Sequence, residues 1–107
     1  MDRDSSRERG LLDDVPVSSE IPELRSLYLD YLRGEIDTLR SLFVRKDLEG
    51  IRELGHRLKG SGGSYGFHQI SELGETIQYL EDHTEWHEVE TLFHRLEEMY
   101  QQIAGDS

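Results

Sequence analysis

The stretch His56-Arg57-Leu58-Lys59-Gly60-Ser61-Gly62-Gly63-Ser64-Tyr65-Gly66 holds one imidazole, an ammonium three residues later and four glycines. An imidazole with the ordinary pKa of about 6.5 is a nucleophile near neutral pH. The phosphoramidate it can form is a labile carrier, open to attack by an aspartate in its turn. Such a chain needs only to present the ring and stabilise the added charge, because phosphoryl transfer depends mainly on positioning and electrostatics. Lys59 lies one helical turn from His56, where a cation would meet an anion attached to the ring.

Spacing says which way the ring points. At about 100° per residue, Ile51, Leu54 and Leu58 gather on the side of a helix opposite His56, so they face a core and His56 faces outward. Arg52, Lys59, Gly60 and Gly63 share the outward face. Two glycines one turn apart make an unusual solvent face, since each costs about 1 kcal/mol relative to alanine inside a helix. Close approach by another molecule would offset that cost, and bare backbone beside the imidazole admits a bulky partner to its nitrogen. The run Gly60 to Gly66 also reads as the terminator of this helix. It is not a nucleotide-binding loop, because the lysine precedes the glycines and no strand leads in.

The elements that must position this surface are helical. From Ile21 to Phe43, Leu24, Tyr28, Leu32, Ile36, Leu39 and Phe43 recur at threes and fours. Pro22 suits a first turn, and Gly34 predicts a bend or a break into two helices. A second helix begins near Asp47 and carries Leu48, Ile51, Leu54 and Leu58. A third is predicted from about His68 to Asp82, with Ile70, Leu73, Ile77 and Leu80 on one face. The fourth runs from about Glu85 to Ile103, with Thr84 as N-cap and Trp86, Val89, Phe93, Leu96, Tyr100 and Ile103 as its apolar stripe. No segment alternates with a period of two. The expectation is an all-α antiparallel four-helix bundle over residues 20–104, with an additional N-terminal segment or short helix. Residues 1–19 read as a flexible acidic lead whose Leu11-Leu12 pair could still pack on the bundle.

Composition bounds the rest. The 107 residues suit one domain, and 35% apolar residues suffice for one bundle core. Absence of cysteine excludes disulfides and thiolate metal sites. No apolar run approaches the roughly 18 residues of a membrane span, and the charged start Met1 to Arg9 is unlike a secretory signal. A net charge of −11 argues against nucleic-acid binding, because phosphate backbones would be repelled. A monomeric cytoplasmic protein is expected.

The run from His56 to Gly66 resembles the signature of histidine-containing phosphotransfer (HPt) domains: a histidine, then leucine-lysine-glycine, small residues, and a later aromatic or aliphatic residue followed by glycine. Phe67, Leu73 and Leu80-Glu81 look like that family's next helix, and the resemblance covers roughly residues 20 to 104. It implies a four-helix bundle in which His56 accepts a phosphoryl group at Nε2 from the aspartate of a receiver domain and donates it to another. Lys59 matches the lysine that steadies the phosphoryl group. Gly60 and Gly63 match the small positions that admit the receiver, with Arg52 on the same access surface. Gln78 matches a polar residue that orients the imidazole in some members. The implied partners are response-regulator receiver domains and a hybrid sensor histidine kinase. The chain would be a phosphocarrier without kinase activity of its own. It would need no cofactor, magnesium belonging to the receiver. Gly62 stands where serine or alanine is commoner, which predicts early fraying of the helix.

Two other readings compete. A non-catalytic helical module would dock on a receiver or kinase without exchanging phosphate, but its mark would be a lost histidine or lysine, and both are present. A metal-binding bundle would draw on His83, His87 and His94 with Glu90, but the sequence completes no four-ligand set. Arg52, Leu27 and Tyr31 are candidates for partner selectivity.

Overall fold

A computed structural model describes residues 22–105, and the predicted lead, residues 1–19, lies outside the described residues. Four helices follow one another: α1 (Pro22–Val44), α2 (Leu48–Tyr65), α3 (His68–Gln78) and α4 (Trp86–Gly105). No strand occurs among the described residues. Each helix packs on its chain neighbours, and α4 closes onto α1, where Phe43 meets Trp86 and Arg33 lies over Tyr100. This is the expected all-α antiparallel four-helix bundle. None of its helices is long and apolar enough to cross a membrane.

The core is built from the predicted stripes. Tyr28, Leu32, Ile36 and Leu39 of α1 meet Ile51, Leu54 and Leu58 of α2, Ile70, Leu73 and Ile77 of α3, and Val89, Phe93 and Leu96 of α4. Trp86, Tyr100 and Ile103 are only partly buried, packed at the edges of this core. Gly34 does not break α1, which is a single helix of 23 residues. Its position is exposed and touches nothing, so its cost of about 1 kcal/mol is outweighed by the buried stripe on the other face.

Local chemistry sets the ends. Lys46 takes a left-handed conformation (φ 58°) after α1, and Asp47 then caps α2 by accepting from the backbone N–H of Gly50 at 3.0 Å. The glycine run terminates α2 only at its last member: the helix continues through Gly60, Gly62 and Gly63 to Tyr65. It stops at Gly66, whose φ of 85° suits a residue without Cβ, and Phe67 donates back to the Gly62 carbonyl at 2.8 Å. Gly62 does not fray the helix either. It is buried, and a Cβ there would come within 2.6 Å of the backbone nitrogen of Ser71.

The third helix ends at Gln78, short of the predicted Asp82. Leu80 keeps the helical spacing but packs against the core from beyond the helix end. Thr84 serves that connection, its Oγ1 accepting from the backbone N–H of Glu81, while the Glu85 carbonyl takes the first bonds of α4 from Glu88 and Val89.

Candidate functional site

His56 stands near the middle of α2 with its side chain exposed, on the face opposite Ile51, Leu54 and Leu58. Its ring Nδ1 lies 3.0 Å from Nε2 of Gln78, at the end of α3. The imidazole Nε2 is on the other side of the ring from that bond. When the Gln78 amide N–H donates to Nδ1, the neutral ring keeps its proton on Nε2. Turned by half a rotation, the amide would present Oε1 to an Nδ1–H and leave the Nε2 lone pair free. As placed, Oε1 of Gln78 is buried with no hydrogen-bond partner among the described residues.

Backbone proximity brings Gln78 to the ring. Gly55, the residue before His56, is buried so closely against α3 that a Cβ on it would lie 2.5 Å from the Gln78 nitrogen and 2.8 Å from the Gly74 oxygen. Gly74 answers from α3, where an added Cβ would run into the backbone of Lys59, Gly55 and Leu58. Two helices touching backbone to backbone put consecutive outward residues of one beside the other. The spacing of polar residues in the sequence carries no sign of this pair of glycines. Their only signal is that each falls on a buried stripe, next to Leu54 and Leu73 respectively.

Lys59 is half-exposed one turn beyond His56. Its ammonium is drawn towards α3, 3.8 Å from a carboxylate oxygen of Glu75 and 6.0 Å from the centre of the exposed Tyr79 ring. Glu75 and Tyr79 were not legible as site residues. Gly60 and Gly63 form the bare floor. A Cβ on Gly60 would meet nothing within 4 Å, and one on Gly63 only Ser71 Oγ at 3.7 Å.

Arg52 sits on the predicted face, but its guanidinium is committed to other groups. Nε donates to the Leu80 carbonyl at 2.8 Å, and the terminal nitrogens pair with Asp82 and Glu49. The bond from Arg52 holds the Asp82 carboxyl below its usual range.

On the other flank, Arg57 makes a two-pronged pair with Glu35 of α1, both bonds 2.9 Å, and Tyr31 donates to the same carboxylate at 2.6 Å. Burial alone would raise the Glu35 carboxyl, but the bonds from Arg57 and Tyr31 outweigh it and bring the pKa down. Leu27 and Tyr31 expose apolar surface on this side, and Tyr79 does so on the α3 side.

The three histidines of the metal reading pair separately, His83 with Glu81, His87 with Glu85 and His94 with Glu90 and Glu97. No group of three or more His, Asp or Glu among the described residues could hold a metal ion.

The sequence model of the family described as Hpt domain matches residues 23–106, nearly the whole bundle. This chain belongs to the Hpt domain family. In general terms its members serve histidine phosphotransfer in two-component phosphorelays and act as carriers rather than kinases. The Hpt domain is 30% identical over 84 residues to the aerobic respiration control sensor protein ArcB of Escherichia coli K12. The same identity relates it to ArcB of Escherichia coli O157:H7 and of Shigella flexneri. The match covers 70% of this chain but 11% of each relative, so the Hpt domain corresponds to a small part of those sensor proteins. No solved structure matches the chain significantly.

Proposed function

We propose that this Hpt domain is a phosphorelay intermediate. It accepts a phosphoryl group on His56 from a receiver-domain aspartate and passes it to, or takes it back from, another receiver. The lone pair of Nε2 attacks the phosphorus of the aspartyl phosphate, the N–P bond forms, and the P–O bond breaks with the aspartate leaving as carboxylate. With the Gln78 amide turned so that Oε1 accepts from Nδ1–H, the ring keeps its Nδ1 proton throughout and no separate base is required.

The observation that carries this reading is the open helix face: an exposed imidazole beside Gly60, where even a methyl group would project into free space. Lys59 is close enough along α2 to leave Glu75 for a dianion on His56. Leu27 and Tyr31 on one side, and Tyr79 on the other, supply apolar rims for a docked receiver. Magnesium belongs in the receiver's acidic pocket. Similarity to part of a sensor protein favours a sensor kinase among the partners.

The test is direct. A receiver domain charged by a small-molecule phosphodonor is mixed with the chain, and acid-labile, alkali-stable phosphate is followed. Wild type should take up label and His56→Gln should not. An unlabelled wild type, or equal labelling of the variant, overturns the proposal. Lys59→Ala should slow transfer more than it weakens docking, which distinguishes a carrier from a docking module.

A further inference from the structure

Gln78 meets the His56 ring from the end of α3. It is the last residue of an eleven-residue helix, whose final turn is closed by the backbone N–H groups of Tyr79 and Leu80 donating to the Glu75 and Ile77 carbonyls. Its own amide is fastened only at one end, since Oε1 has no partner among the described residues. A side-chain tie to the end of α3 comes from α2, one turn before His56. Arg52 donates from Nε to the carbonyl of Leu80, just past the helix end, and from a terminal nitrogen to Asp82. A cation suits that end of a helix, where the backbone dipole is negative. The Gly55–Gly74 contact sets how near the two helices lie, and the Arg52 bonds to Leu80 and Asp82 join the end of α3 to α2.

We propose that Arg52 is a positioning residue for His56: by tying the end of α3 to α2, it keeps the Gln78 amide on Nδ1, where the amide turned with Oε1 towards the ring accepts from Nδ1–H and holds the proton there. Without the tie, Gln78 leaves the ring and water takes its place, and both neutral tautomers are populated. Since only a ring with a free Nε2 lone pair can attack at that atom, the tie governs the fraction of His56 ready to react. That consequence rests on the function proposed above. The claim about the ring does not.

The experiment uses the unphosphorylated chain without any receiver, so it stands apart from the transfer assay. Ring ¹⁵N shifts of His56 are measured by long-range correlation spectroscopy with the imidazole neutral. Wild type should show two widely separated nitrogens with Nδ1 the protonated one, the signature of one dominant tautomer, and a dominant Nε2–H form overturns the proposal. Gln78→Ala and Arg52→Gln should each bring the two shifts towards an averaged value. Adding Arg52→Gln to Gln78→Ala should change nothing further, because Arg52 acts through Gln78. Asp82→Asn, at an exposed position, should move the shifts in the same direction by a smaller amount, and it keeps the test available if Arg52→Gln does not fold. Averaged shifts in wild type overturn the proposal. So do unchanged shifts in Arg52→Gln or, where that variant does not fold, in Asp82→Asn, and so does an equal effect of Arg52→Gln with and without Gln78.

Discussion

The ammonium of Lys59 lies 3.8 Å from the carboxylate of Glu75 across the α2–α3 seam, both groups substantially exposed. On the function proposed above, the pair holds a cation that would meet a phosphoryl group on His56 and sets a negative charge beside it. An exposed pair of this kind is worth at most about 1 kcal/mol, so a dianion on His56 can displace it. Glu75→Gln should therefore free Lys59 and remove a repulsion. Phosphoryl transfer to His56 should rise about two- to fivefold, with the gain shrinking at high salt. Stopped-time labelling at two ionic strengths checks this. Slower transfer in the variant would mean that Glu75 holds Lys59 in its productive place instead.

Gly60 and Gly62 are two residues apart and make opposite demands. Alanine at Gly60 meets nothing, so the variant should gain about 0.5–1 kcal/mol from helix propensity. Its extra methyl on the access face should cost roughly ten- to a hundredfold in transfer, the scale expected when reacting groups are kept about an ångström too far apart. Alanine at Gly62 would press on the backbone of Ser71 and should lower stability by about 1–3 kcal/mol. Thermal melts paired with transfer rates separate the two. A Gly60→Ala protein that transfers at the wild-type rate would remove Gly60 from the docking surface.

The outward direction of His56 was legible because Ile51, Leu54 and Leu58 leave only one face for it. The length of α2 was not. Four glycines between Gly60 and Gly66 weigh against a helix on propensity, yet only Gly66 takes a left-handed conformation, while Gly62 is needed for close packing. The end of α3 was misplaced for a related reason. Leu80 preserves the apolar spacing although the helix has ended, so periodicity continues where hydrogen bonding does not. Glu75, Tyr79 and the Gly55–Gly74 contact depend on how closely two helices approach, and one-dimensional spacing does not encode that distance. Arg52 was placed on the correct face, but its partners Leu80 and Asp82 come from a connection whose path is fixed only by the fold.

The Glu35 carboxylate is buried and depends on Arg57 and Tyr31 for its charge. Arg57→Ala should cost about 1–3 kcal/mol at neutral pH, because a desolvated carboxylate loses its strongest partner. The sign of the pH dependence is also set. In wild type the lowered Glu35 pKa contributes stability above the unfolded value near 4.5, and that contribution is lost as pH falls through the folded value. Without Arg57, burial dominates and raises the same group, so protonation relieves the variant. The stability gap between wild type and Arg57→Ala should be widest near pH 7 and narrow below about pH 4.5. Denaturant melts from pH 7 to 3 measure it, and a constant gap would show that Arg57 contributes by packing alone.

Tyr28 anchors the other end of the same helix pair. Its ring stacks on Tyr65 and Phe67, and its hydroxyl meets Ser61 Oγ at 3.1 Å. Burial pushes its pKa from 10.0 up to about 12, the Ser61 bond offsetting only part of the rise. A folded pKa above the unfolded one means that the native state holds its proton longer. Stability from this source is complete below pH 10 and falls as pH rises towards 12, by an amount of order 2 kcal/mol. Tyr28→Phe keeps the stacked ring and removes the ionisation, so the variant should be slightly less stable at pH 7 yet lose less stability between pH 10 and 12. Parallel alkaline melts of the two proteins decide it. Identical slopes over that range would place the alkaline sensitivity in Tyr31, whose pKa burial and the Glu35 bond also raise, rather than in the core.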